Sequence, residues 1–266
     1  MTTFTVTITT DERDDLDGMG TVSLANFGGA GDLSLREAIA LANAMAGVDT
    51  ITFASGVGEA FENDALIRLT QGELVATEAL NIDGSTAGGA VVITGDADGD
   101  DVTVMGTDIT DVAASFGGTA GAVDDLLDDN SRVLNITAYT GTSTLTGLTI
   151  TGGRTTVFFG RGGGIRSPGD TTLTNSTVSG NSTAGDYADG GGVFSGGAIT
   201  LTNSFVSGNS TTGDRAEGGG VSSDGATTLT NSTVSGNSTA GRIAPGGGVF
   251  SFGATTLTNS TVSDNS

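Results

Sequence analysis

The sequence predicts an all-β fold, a right-handed parallel β-helix (solenoid) with 28-residue coils and one N-terminal capping α-helix. Three observations carry this. The segment TLTNSTVSGNS at 172–182 returns as ITLTNSFVSGNS ending at Ser210, as TLTNSTVSGNS from Thr228 and as TLTNSTVSDNS from Thr256. Gly triplets beginning at Gly162, Gly190, Gly218 and Gly246 keep the same 28-residue spacing without an insertion, as do Leu173, Leu201, Leu229 and Leu257. The composition is that of strands and turns: 46 Gly, almost as many Thr, and no run of good helix formers inside a unit.

In chain order, strands are predicted at 4–9, 49–53, 80–82, 91–94, 102–105 and 133–137, where short runs of Val, Ile, Thr and Phe occur. One helix interrupts them. Ser34 and Glu37 form a capping box, and the stretch 35–46 carries Leu35, Ile39, Ala42 and Met45 on one side before stopping at Gly47. Such a helix would cover open strand edges and apolar ladders at the solenoid end. Three regions follow: a capping region at 1–55, irregular coils at 56–132 and regular repeats at 133–266. A degenerate copy, TLTGLTITGG, opens the regular part at Thr144, and the next Gly triplet falls due beyond Ser266, so the solenoid is expected to continue.

Each regular unit reads as strand GGGVFS, a turn, strand TTLTNS, a bend, strand TVSGNS and a loop. Stacking at about 4.8 Å places equivalent residues above one another. Leu173 and its equivalents form one interior ladder; Val178, Val206, Val234 and Val262 form another; Ile165, Val193, Val221 and Val249 form a third. Asn175, Asn203, Asn231 and Asn259 occupy the bend, where stacked amides bond to one another, and a second Asn column runs through Asn181, Asn209, Asn237 and Asn265. Sequons such as Asn175-Ser176-Thr177 are by-products of the first ladder.

Two surface features stand out. Thr144 and Thr146, Thr172 and Thr174, Thr200 and Thr202, Thr228 and Thr230, and Thr256 and Thr258 flank the interior leucines as two outward files, similar to the Thr-x-Thr faces of ice-binding solenoids. Variation between units is concentrated in the loops at 154–161, 182–189, 210–217 and 238–245, whose stacking aligns Phe159, Tyr187, Arg215 and Ile243. With Phe158, Arg161 and Arg242 this edge has the aromatics and guanidinium groups of a ligand-binding ridge. Arg161 is expected to pair with Asp189, and Arg242 with Asp214.

The chain has no Cys, His or Lys, which removes Ser-His pairs, thiol and amine nucleophiles, and soft metal ligands. Its formal charge of −22 disfavours nucleic acid and anionic membranes. No apolar run is long enough to span a membrane, and the N-terminus has neither the basic nor the apolar region of a signal peptide. Acidic pairs at Asp14-Asp15, Asp100-Asp101, Asp124-Asp125 and Asp128-Asp129 lie outside the regular coils, which argues against a carboxylate-based polysaccharide lyase or hydrolase. No cofactor is expected except Ca2+, for which Asp96, Asp98 and Asp100 alternate as candidate ligands in a Gly-containing segment.

The segment Leu33-Ser34-Leu35-Arg36-Glu37-Ala38-Ile39, with Asn43 and the strand at 49–53, resembles the CSLREA domain that precedes β-helical repeats in bacterial secreted or surface proteins. Leu33 stands where that motif has Cys. The units from 133 onward are similar to repeats of chlamydial polymorphic outer-membrane proteins and related adhesins. Both resemblances imply an extracellular or cell-surface location and neither implies a catalytic activity. The expected role is a structural or adhesin-like stalk that binds glycan or protein through the ridge, with ice binding and polysaccharide cleavage as alternatives.

Overall fold

The computed structural model describes residues 1–13, 32–97, 103–104, 107–108 and 131–266 of the chain. One coil shows the plan. Ile165–Ser167 lies in a six-stranded sheet, Asp170–Thr174 in an eight-stranded one, Thr177–Ser179 in a seven-stranded one and Ser182–Thr183 in a four-stranded strip. A loop then returns the chain to Val193–Ser195, which pairs in parallel with Ile165–Ser167. All pairs in these four sheets are parallel, so the described chain is a β-solenoid with its apolar core between the sheets.

The registers confirm the interior ladders and extend them past the visible repeat. Leu145, Leu173, Leu201, Leu229 and Leu257 are direct partners, and the same column continues through Ile82 and Ile51 to Phe4. The valine column continues through Ile150 and Ile93 to Ile67. Inner members are almost fully buried, whereas Leu257 and Val262 in the last coil are each 45% exposed because no further coil stacks on them.

The capping box is present: the Ser34 hydroxyl accepts from the Glu37 amide at 3.2 Å, and the Ser34 amide donates to Glu37 Oε2 at 2.9 Å. The helix is shorter than expected, Leu35–Asn43, and Met45 is 40% exposed rather than packed. Asn43 ends it by docking on a strand edge: its Nδ2 donates to the Val75 carbonyl and its Oδ1 accepts from the Thr77 amide, both at 2.8 Å. Leu35, Ala38, Ile39, Leu41 and Ala42 join the core against Thr3–Val6, Asp49–Phe53 and Leu74–Ala76. Because Thr3–Val6 and Leu74–Ala76 are the end strands of their sheets, the helix covers the solenoid end as expected. Arg36 adds a clamp the sequence reading missed. It grips Asp11 with two bonds of 2.6 and 2.9 Å and donates to the carbonyls of Gly72 and Glu73.

Other departures are local. The first strand is Thr3–Val6, and the 102–105 strand is Thr103–Val104, paired antiparallel with Thr107–Asp108 outside the four sheets. Ala65–Arg68 and Leu74–Ala76 are strands that the sequence reading did not anticipate. The first two residues of the loops at 182–189, 210–217 and 238–245 are strands of the four-stranded strip, as are Arg154–Thr155 in the first loop.

The two Asn columns have different jobs. Asn175, Asn203, Asn231 and Asn259 adopt φ of 49–50°, a left-handed conformation that Asn tolerates, and their exposed amides bond coil to coil at 3.2–3.4 Å. The second column is interior. Asn209 donates to the Val178 carbonyl and to Asn237 Oδ1 at 2.9 Å, while its own Oδ1 accepts from the Asn181 amide and side chain at 3.0 Å. The Gly triplet accommodates this column. Gly190 has φ 72°, and a Cβ on Gly192 would lie 2.9 Å from Asn209 Cγ.

Asn209→Ala should therefore cost far more than Asn203→Ala. It strands the buried Asn181 amide at about 1–3 kcal/mol and removes a second bond to the Val178 carbonyl, whereas Asn203→Ala incurs chiefly the left-handed penalty of about 1 kcal/mol. Urea unfolding measures both. Equal losses would contradict the distinction between an interior and a surface ladder.

Candidate functional site

The variable loops are built as rigidly as the strands. Tip amides bond to the next coil: Phe159 to the Asp186 carbonyl at 3.0 Å, Tyr187 to Asp214 at 3.0 Å and Arg215 to Arg242 at 2.8 Å. Thr211 and Thr239 pin their loops from inside through their hydroxyls, which donate to the carbonyls of Ala216 and Ala244. Carboxylates supply a third tie. Asp186 Oδ1 accepts from the Asp214 amide, Asp214 Oδ1 from the Arg242 amide and Asp189 Oδ1 from the Glu217 amide, at 2.8–2.9 Å. The sequence signal for this was the acidic residue recurring at one loop position, which composition alone reads as solvated charge.

On this scaffold Phe159, Tyr187, Arg215 and Ile243 stack as expected, each with φ between 53° and 59°. Phe158 and Phe159 are 61% and 51% exposed, with ring centroids 4.4 Å apart. Tyr187 meets Phe158 at 5.5 Å and Phe159 at 5.2 Å, and the Arg215 guanidinium lies over the Tyr187 ring at 5.4 Å while donating to its hydroxyl. Val157 and Ile243, also exposed, lie on the same edge. The ridge therefore presents stacked rings, apolar side chains and guanidinium donors in one line.

Arg161 pairs with Asp189 at 2.9 Å, as expected, and lies 4.7 Å from the ring of Phe194, a contact the sequence reading missed. Arg242 does not pair with Asp214 through its side chain. Asp214 takes the Arg242 backbone amide instead, and Arg242 enters no ion pair among the described residues. Burial raises the Asp189 carboxyl above its ordinary 3.8, a rise partly offset by the Glu217 amide and Arg161 and increased by Asp224. Glu217 rises above 4.5 through burial and then the charge of Asp189.

The Thr files are in register: Thr172 and Thr174 pair with Thr200 and Thr202, these with Thr228 and Thr230, and these with Thr256 and Thr258. The last pair differs from the face expected of it. Thr172, Thr174, Thr200, Thr202, Thr228 and Thr230 are half-buried between neighbours on both sides, whereas Thr256 and Thr258 are exposed, as is the whole of their strand Thr255–Thr258. That strand is the end of the eight-stranded sheet, so Thr258 has a file neighbour, Thr230, on one side alone. In the other direction Thr144 and Thr146 continue the files as expected, and the structure carries them on through Asn81 and Asp83 to Thr50 and Thr52 and finally Thr3 and Thr5. The signal was present in the sequence as Thr-Phe-Thr and Thr-Ile-Thr, each straddling a core residue.

Of the calcium candidates, Asp96 is buried, while Asp98 and Asp100 lie outside the described residues, as do the four acidic pairs. Among the described residues there is no cluster of three metal-ligating side chains, and no helix is long and apolar enough to cross a membrane.

No family model, curated protein or solved structure matches the chain.

The raised carboxyls give a pH dependence of definite sign. The folded state holds these protons more tightly than the unfolded chain, so above 3.8 for Asp189 and 4.5 for Glu217 stability falls as pH rises through the folded values and improves as pH falls. Melting curves from neutral pH into this window should show a larger rise for the wild type than for Asp189→Asn/Glu217→Gln. Parallel profiles would contradict the assignment.

Proposed function

We propose that this protein is a non-enzymatic, extracellular or cell-surface β-solenoid that binds a glycan chain through the loop ridge. One observation carries the reading. Four columns of the regular coils have a left-handed backbone; two use Gly, apart from Asp264 in the last coil, and the bend column uses Asn at each level, all residues suited to it. The ridge column places Phe159, Tyr187, Arg215 and Ile243 under the same demand. A left-handed backbone costs such residues about 1–2 kcal/mol each, and for a β-branched or bulky residue it is a true outlier. The side chains held there thus serve something other than the fold, and strain of this kind clusters at ligand sites.

The shape favours an extended ligand. The ridge is one or two side chains wide and spans four coils, roughly 15–20 Å at the strand spacing. That is a line, smaller than the roughly 800 Å² per partner of a stable protein interface. Aromatic rings stack on the C–H faces of sugars, and guanidinium groups donate to hydroxyl or carboxylate oxygens. The absence of His, Lys and Cys from the chain fits a binding role.

A glycan array with the wild type and with Phe159→Asn/Tyr187→Asn/Arg215→Asn tests the reading. Wild type should bind, and the triple variant should lose binding while remaining folded, because Asn suits the left-handed positions. Undiminished glycan binding by the triple variant, or capture of proteins but no glycan by the wild type, would overturn it.

A further inference from the structure

We infer that the outer face of the eight-stranded sheet is a second binding surface, independent of the ridge, and that its ligand is the ordered water layer of ice. The two Thr files run across all eight strands and are interrupted at one level, by Asn81 and Asp83. Duplication of the 28-residue unit accounts for Thr at the regular coils. It does not account for Thr3 and Thr5 or for Thr50 and Thr52, which lie where no such repeat is visible and are separated by the capping helix. The same outward pair in unrelated coils points to a requirement of the face.

Three further properties fit crystalline water. The hydroxyls of Thr172, Thr174, Thr200, Thr202, Thr228 and Thr230 bond to no protein atom among the described residues, whereas the inward Ser176, Ser204 and Ser232 donate to backbone carbonyls. The outward hydroxyls of these regular coils are therefore available to solvent, whereas those of Thr5 and Thr52 bond to each other at 3.0 Å. Their spacing is set by the backbone, about 4.8 Å between strands and about 6.6–6.8 Å between alternate residues, and the paired registers repeat it from coil to coil. This gives a regular grid of Thr side chains on a scale comparable to the oxygen repeats of ice. The β-branched Thr side chain is stiff about χ1, so the grid is ordered before the ligand arrives.

The two files are poorer in charge than the chain as a whole, although Asp170 lies on the same side of its strand, two residues before Thr172. In a chain of formal charge −22, Asp83 is the one ionisable residue within the two files. Charged groups impose their own hydration, which an ice lattice cannot absorb. A nearly uncharged Thr grid avoids that conflict.

Purified full chain is examined at a growing ice crystal for faceting and for a gap between melting and freezing points. Wild type should shape ice and open a gap. Thr202→Tyr/Thr230→Tyr should lose both, with circular dichroism and melting temperature retained, and the ridge variant Phe159→Asn/Tyr187→Asn/Arg215→Asn should keep both. Thr202→Val, which keeps the branched shape and removes the hydroxyl, should reduce the gap even if the Tyr variant fails to fold. Unshaped ice with wild type, an undiminished gap in both Thr variants, or retention on crystalline polysaccharide without any effect on ice would each overturn the inference.

Discussion

The structure depends on hydrogen bonding between residues one coil apart. A single solenoid coil leaves its strand amides and carbonyls without partners, and in lone coils those groups would be a large unmet cost. Each is met by the coil above or below. In the regular part the register is always 28 residues: aligned strand positions, the interior Asn–Asn bonds and the Asp caps use that one offset, and backbone amides mostly reach carbonyls 27 or 29 residues away. One inserted residue would break all three at once. This common register explains why four copies tolerate no insertion while several loop positions differ freely.

The same constraint assigns the glycines and asparagines. The triplet combines a left-handed turn with backbone packed so close to the neighbouring coil that a Cβ on Gly191 would lie 2.3 Å from the Ser210 carbonyl oxygen. Beside it, the amide of Asn209 fits because it both donates and accepts, continuing the ladder in both directions. At the other end of the solenoid, Ser34-Leu35-Arg36-Glu37 serves structure throughout: Ser34 and Glu37 cap, Leu35 packs and Arg36 clamps Asp11.

The fold was legible where the repeat is regular, because Leu, Val, Gly and Asn each recur for one physical reason. The ladders in the first hundred residues were less so. Phe4, Ile51 and Ile82 continue the leucine column with irregular spacings, so their kinship shows only in the strand register. The strands Ala65–Arg68 and Leu74–Ala76 are too short to give a period. The ridge column was read correctly from alignment of the copies. The left-handed backbone beneath it was hidden, since Phe, Tyr and Ile are the residues that argue against it. Arg242 was misassigned because loop spacing brings it near Asp214 without saying that the backbone amide takes the carboxylate.

The ridge therefore rests on backbone order in segments whose sequences look like free loops. Hydrogen exchange at individual amides tests this most directly. The amides of Phe159, Tyr187 and Arg215 each donate to the next coil, so they should exchange as slowly as those in Asp170–Thr174 and Ile199–Thr202. Exchange of the tip amides at the rate of open chain, with the strands protected, would contradict a register-locked ridge.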